Sequence, residues 1–372
     1  MTTPGKRSSP GKKHSARFRN RYSPIGIDIG SALIKAVQFS QTRGRVSLHC
    51  RAVVPTPGET FRDGAVIDPA PLAEALAKLR RKHRWHKNRA VFGLGAQFFY
   101  LRKALLPYMT GSELEKAMFW EVEKQFPLSA KTAVFSYCPA EPFNGKKQPR
   151  QYLLAAAAKE TSAAYTDAAA RAGLFCVSLD VLPLALLRSV QFNSRFRSDQ
   201  GPEIDSLSKP EPRALLDIGF KDSAILVSTE NRYRFYRNIK TGTDHFCRAL
   251  EEKVESGEPS ALRRLYAGRS LREKGLLETA DRFAERIGQS LAYWADQPDQ
   301  RDHVLRGIEF CGGGAFIPGL AARIEQKLAL KRLLYNPLAP FTGSSPEKQA
   351  ARFREEVLFT AAHGLALRGW LK

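Results

Sequence analysis

The sequence predicts an α/β protein of two duplicated lobes around a cleft, with a strand-helix-strand-strand insert in the first lobe. Three observations predict it. A strand ending in Asp-Ile-Gly, then a turn and a second strand, occurs at Ile27-Asp28-Ile29-Gly30 and again at Leu216-Asp217-Ile218-Gly219. One copy is weak, because a glycine hairpin is common and its Asp can cap the turn. Two copies, each opening a strand-rich half, point to an internal duplication. The third observation is a strand at 307–310 broken by Cys311-Gly312-Gly313-Gly314 and followed by a helix.

The chain has 372 residues, 43% hydrophobic and 26% charged, which fits two globular domains and excludes general disorder. Its 59 Lys and Arg against 37 Asp and Glu give a net charge of +22. Such a surface favours anionic partners: nucleic acid, acidic lipid or an acidic protein. Cys50, Cys138, Cys176, Cys247 and Cys311 are an odd, scattered set with no Cys-x-x-Cys pair. They argue against a disulfide framework and a zinc site, and they fit a reducing compartment. No apolar run approaches the ~18 residues of a membrane span.

Residues 1–21 carry Lys6, Arg7, Lys12, Lys13, Arg17, Arg19 and Arg21 without an acid, and are expected to be a disordered basic tail. Order is expected from residue 23, with strands at 24–30, 34–39 and 46–54, where Val, Ile and Phe recur at period two. Asp68-Pro69 marks a helix start that carries Leu72, Leu76 and Leu79 on one face. Strands at 90–94 and 98–106, a helix after a Ser112/Glu115 capping box, and strands at 132–137 and 151–157 form the insert. An Ala-rich helix at 162–172, a strand at 175–179 and a helix from 183 close the first lobe. Residues 193–212, with Gly201-Pro202 and Lys209-Pro210, read as a linker. The second lobe repeats the opening strands, adds helices over 244–300 and 318–328, and ends in a helix from about 347. The expected division is thus 22–192 for the first lobe with an insert at about 90–160, 213–345 for the second, and 346–372 returning to the first.

The repeated turns suit phosphate binding between lobes. Glycine lets backbone N–H groups approach phosphate oxygens with no Cβ in the way, and Ser31 adds a hydroxyl. Two carboxylates facing a polyphosphate would repel it, so Asp28 and Asp217 imply a water-bridged Mg²⁺ between them. Lys35 would offset phosphate charge. Gly312, Gly313 and Gly314 would let a flat ring and ribose lie against backbone. The patterns G-x-x-x-x-G-K-[ST] and G-x-G-x-x-G are absent, so this is neither a P-loop nor a Rossmann site.

The ordered set resembles the actin-like ATPase superfamily, in its FtsA/PilM branch. The resemblance rests on Gly26 to Val37 with Lys35, on Leu216-Asp217-Ile218-Gly219, and on Gly312-Gly313-Gly314-Ala315-Phe316-Ile317-Pro318-Gly319-Leu320. Trp120 to Leu128, Ala172-Gly173-Leu174 with Leu179-Asp180, and Gly364 to Arg368 extend it across residues 23–370. It implies an ATP and Mg site on Asp28, Gly30, Ser31, Lys35, Asp217, Gly219, Gly242, Gly312, Gly313 and Gly314. It also implies a cytoplasmic scaffold of type IV pilus assembly, peripheral to the inner membrane. A groove beside the insert would hold the N-terminal peptide of a PilN-like inner-membrane protein. Other pilus base proteins, acidic lipid at the tail and a second copy of the chain are further expected partners. The alternatives are a type II secretion or DNA-uptake component and an FtsA-like division protein.

The sequence departs from the family at Ala32-Leu33, where Ser is usual, at Gly242-Thr243-Asp244 and at Phe126-Pro127. Hydrolysis is expected to be weak or absent, since no residue presents itself as a water-positioning base. Asp180 and Glu121 are read as surface or capping carboxylates. No recognition helix, zinc finger or RNA-binding aromatic motif supports specific nucleic-acid binding. Trp120, Trp294, Met109 and Met118 are expected in cores, and Cys311 as a buried filler.

Overall fold

A computed structural model describes residues 21–197, 211–251, 274–333 and 356–370, with short breaks, together with Tyr266, Leu271, Tyr335 and Pro337. Residues 1–20 of the expected tail, most of the expected linker, residues 142–146 and the start of the expected C-terminal helix lie outside them.

The first sheet is built on a long hairpin. Strands β1 (Arg21–Tyr22), β2 (Ile25–Ile29), β3 (Leu33–Thr42) and β4 (Arg45–Pro55) pair antiparallel around β3. Arg21 pairs with Gln41, so the first sheet reaches into the segment read as tail, because the hairpin offers an edge to pair with. Strands β5 (Phe61–Arg62) and β6 (Ala65–Val66) form a small hairpin. Helix α1 (Pro69–Lys82) starts as expected: the Asp68 carboxylate accepts the Ala70 N–H at 2.8 Å and Pro69 opens the helix. It buries Leu72, Leu76 and Leu79.

Strand β7 (Arg89–Leu94) lies parallel to β2 and to β11 (Phe175–Val181), within the first sheet. The insert therefore begins at β8 (Tyr100–Leu106), not near 90. The run from Ala90 to Leu94 in β7 is buried throughout, as fits a strand covered on both faces. The insert is a separate sheet with β10 (Arg150–Ala158) between β8 and β9 (Ala133–Pro139), covered by α2 (Gly111–Gln125). Because α2 already includes Gly111, Ser112 lies in its first turn and does not cap it. Met118 and Val122 are buried under α2, but Trp120 is 68% exposed. It stands on the outer face of the helix, contrary to the core expectation.

Helices α3 (Lys159–Arg171) and α4 (Leu182–Arg197) flank β11. The second sheet, β12 (Arg213–Ile218), β13 (Ser223–Thr229), β14 (Arg232–Ile239) and β15 (Ile308–Cys311), has the order β14-β13-β12-β15. It repeats β4-β3-β2-β7 strand for strand: an antiparallel hairpin with a parallel strand on the far side. Helices α5 (Thr243–Glu251), α6 (Lys274–Ala295) and α7 (Leu320–Leu328) pack on it, burying Phe246, Phe283, Ile287 and Trp294.

The last helix, α8 (Thr360–Ala366), follows a 3₁₀ turn at Val357–Phe359 and packs on α4, β2 and β3. Two glycines allow this. A Cβ on Gly364 would stand 1.7 Å from the Ala185 carbonyl oxygen, and one on Gly26 would stand 2.1 Å from that of Ala362. Neither site has room for a side chain. Behind α8, the Asp180 carboxylate is buried and accepts from Arg188 and, at 2.7 Å, from Arg368. It is an internal tie, not a surface group. Glu121 pairs with Gln125 and Lys124 on its own helix.

Candidate functional site

The two hairpins turn in the same way. The Gly30 N–H donates to the Leu33 carbonyl at 3.0 Å, and the Gly219 N–H donates to the Asp222 carbonyl at 3.1 Å. These glycine N–H groups are therefore spent on the turns. The turn-tip N–H groups, of Ser31 and Ala32 and of Phe220 and Lys221, make no backbone hydrogen bond with the described residues. They are the donors that could meet an anion, a role sequence reasoning had given to the glycines.

Each turn is braced from behind. Thr56 donates its hydroxyl to the Gly30 carbonyl at 2.7 Å, and its N–H to Ala32 at 2.9 Å. The Thr243 N–H donates to the Gly219 carbonyl at 3.0 Å, and that of Asp244 to Phe220 at 2.9 Å.

Between the turns lies a cavity of about 760 Å³ lined by both lobes. Asp28, Gly30, Ser31 and Lys35 face it from one side, and Asp217, Gly219, Gly312 and Gly313 from the other. Gly242 and Gly314 are not among its lining residues. A Cβ on Gly242 would meet the Phe220 carbonyl oxygen at 2.3 Å, and one on Gly314 would meet the Ile218 side chain at 2.1 Å. Both glycines let the wall close up behind the second turn. Gly312 has φ 79°, and a Cβ there would lie 2.3 Å from an Asp217 carboxylate oxygen. Gln97, Tyr236, Lys240 and Tyr266 also line the cavity; sequence reasoning missed them, because no local pattern marks a residue brought in by a distant strand.

The electrostatics centre on Lys35. It is the register partner of Asp28, and its Nζ lies 2.5 Å from the Asp28 carboxylate. Burial alone would pull its pKa down, but Asp28 and Asp217 together outweigh it and hold the ammonium above the usual lysine value. Burial pushes Asp217 up to about 6; Lys35 pulls the other way and Asp28 adds to the rise. Two carboxylates thus share one ammonium, and Asp217 is left short of positive charge. A hydrated divalent cation would supply it, so the residues present fit Mg²⁺ held through water. The buried Tyr236 hydroxyl has no partner among the described residues and also lines the cavity, where a bound water or phosphate oxygen would satisfy it. Burial pushes the Cys311 thiol well up, so it is a neutral filler and not a nucleophile.

Two duplicated α/β lobes meeting at paired hairpin turns, with an acidic residue before each, define an actin-like ATPase fold. The chain belongs to the PilM family: the family's sequence model, described as type IV pilus assembly protein PilM, matches residues 26–370. This favours the pilus over a secretion, DNA-uptake or division protein. Among solved structures, the chain is similar to one of a PilM-PilN type IV pilus biogenesis complex. The identity is 24% and the TM-score 0.80, over 93% of this chain and 98% of that one. It is also similar to the ethanolamine utilization protein EutJ from Carboxydothermus hydrogenoformans. There the identity is 15% and the TM-score 0.54, over 93% and 89% of the two chains. Among the described residues, no helix is long and apolar enough to cross a membrane.

Proposed function

We propose that the chain is a cytoplasmic ATP-binding scaffold of type IV pilus assembly, peripheral to the inner membrane. It docks the short cytoplasmic tail of a PilN-like inner-membrane protein. The observation that carries the nucleotide reading is the matched pair of turns facing one cavity, with Asp28, Lys35 and Asp217 at its base. In this reading Asp28 and Asp217 hold Mg²⁺ through water, while Lys35 offsets triphosphate charge. The turn-tip N–H groups and the Ser31 hydroxyl take phosphate oxygens. Gly312 and Gly313 admit the base and ribose against backbone. Gly30, Gly219, Gly242 and Gly314 shape the turns and the wall. The lobes divide at 22–192 and 213–345, with 346–372 returning to the first.

The partner reading is supported by the family and by the similarity to a PilM-PilN complex. The groove would run between the insert and the first sheet. There Cys138, at the end of β9, lies within electrostatic reach of Asp180, Arg188 and Arg368. Hydrolysis is slow in this account, because the described carboxylates of the cleft are already engaged: Asp28 pairs with Lys35 and Asp222 with Lys240, while Asp217 is assigned to the metal.

The test is thermal unfolding of nucleotide-free protein with ATP·Mg, and with a synthetic peptide of the partner's cytoplasmic tail. At ligand 100-fold above Kd each should stabilise by about 2.7 kcal/mol. No shift with ATP·Mg would remove the nucleotide reading, and no shift with the peptide would remove the docking reading.

A further inference from the structure

A second cavity, of about 590 Å³, opens at the end of the first sheet, apart from the nucleotide cleft and sharing only Arg368 with the residues named for the peptide groove. Arg21, Lys87, Arg89 and Arg368 line it, and none of its lining residues is an Asp or Glu. Arg368 is held by Asp180 behind the wall; among the described residues, no acid pairs with the other three. Like charges gathered around a concave surface repel one another, and an anion in the concavity relieves that repulsion.

The walls are fixed in place. Gln38 is fully buried, and its amide donates to the Ser23 carbonyl at 2.9 Å and the His86 carbonyl at 2.8 Å. Its own oxygen accepts the His86 N–H at 2.8 Å. One buried side chain thus ties the segment after Arg21 to the segment before Lys87. Tyr22 stacks on His86 at 3.8 Å between ring centres, which closes the same seam. The cations stand on prearranged backbone, not on a free loop.

The surroundings select the source of the anion. Phe175, the register partner of Arg89 on the neighbouring strand, is 66% exposed, and Val177, in the cavity wall, is 39% exposed. Trp370 forms another part of the wall. Cations beside exposed aromatic and aliphatic side chains match the boundary of a membrane, where headgroup phosphate meets acyl chain. Six further cations, Lys6, Arg7, Lys12, Lys13, Arg17 and Arg19, precede Arg21 in the sequence.

We propose that this cavity binds the phosphate headgroup of an anionic phospholipid, setting one end of the first lobe against the membrane surface. The site consists of Arg21, Lys87, Arg89 and Arg368, with Phe175 and Val177 as the apolar contact beside it.

Flotation of the full chain with vesicles tests this at ~0.15 M salt, where loose surface attraction is largely screened. The vesicles are phosphatidylcholine alone, or an equal mixture of phosphatidylcholine and phosphatidylglycerol. The chain should float with the mixed vesicles only. The double variant K87E/R89E should lose at least about thirtyfold in affinity, the effect of removing two near-surface cations before the two added negative charges count. A variant with Lys6, Arg7, Lys12, Lys13, Arg17 and Arg19 all changed to Ser should lose less. Both variants should keep the thermal shift with ATP·Mg, which shows that they fold and separates this site from the nucleotide cleft. Flotation unchanged in K87E/R89E, or abolished by the tail variant alone, would overturn the proposal. So would a thermal shift with inorganic phosphate that needs Lys87 and Arg89 but comes without flotation; the site would then take free phosphate.

Discussion

Lys35 and Asp28 face each other across the first hairpin, ammonium and carboxylate 2.5 Å apart, while Asp217 reaches the same ammonium's field from the opposite lobe. The lysine is thus the positive charge that lets two acids sit at the floor of one cleft. Lys35→Met should leave both carboxylates buried without it, at a cost of about 3 kcal/mol in metal-free buffer. The deficit should shrink at acid pH, as the carboxylates protonate. Urea unfolding at two pH values reads it.

Two buried groups make stability depend on pH in opposite senses. The folded-state pKa of Asp217 is raised to about 6, so the folded chain binds its proton more tightly than the unfolded chain. Its contribution is favourable at low pH and is lost as pH rises from about 4 to about 6. Burial lowers His363 to about 3. Its contribution is present above the unfolded value of about 6.5 and is lost as pH falls towards 3. Asp217→Asn should therefore steepen the loss of Tm below pH 6, and His363→Gln should flatten it. Parallel slopes in the two variants would contradict both assignments.

Gly364 meets the Ala185 carbonyl with no space for a methyl group. Gly364→Ala must push α8 off α4 and should destabilise by about 3 kcal/mol, the upper end for overpacking. An unchanged unfolding midpoint would show that the last helix is not docked in this way.

Asp180 is buried between Arg188 and Arg368. Asp180→Asn should cost about 3 kcal/mol by leaving guanidinium charge uncompensated. ATP affinity, measured below the unfolding transition, should not change, because the residue does not line the cleft.

The parts of the fold legible in the sequence are those written locally. Asp28 and Asp217, each followed by Ile-Gly, declare their hairpins through period-two patterning, and Asp68-Pro69 declares a helix start. Non-local facts were not legible. The membership of β7 in the first sheet depends on parallel pairing with β2 and β11, which are far away in sequence. The burial of Asp180 depends on Arg368 arriving with the last helix. Trp120 keeps helical spacing, but its face of α2 has nothing described to cover it. In the cleft, Asp28, Ser31, Lys35 and Gly312 could be named from motifs, while Gln97 and Tyr236 could not. The strand register that pairs Lys35 with Asp28 decides whether the lysine meets phosphate or carboxylate first.

The central claim is that a metal-nucleotide sits between Asp28 and Asp217. The most direct measurement is equilibrium binding of a fluorescent ATP analogue to the wild type, Asp28→Asn and Asp217→Asn, each with Mg²⁺ and with chelator. The account predicts Mg²⁺-dependent binding in the wild type, weakened at least tenfold by either substitution. Equal affinity in all three proteins, or binding indifferent to the metal, would contradict it.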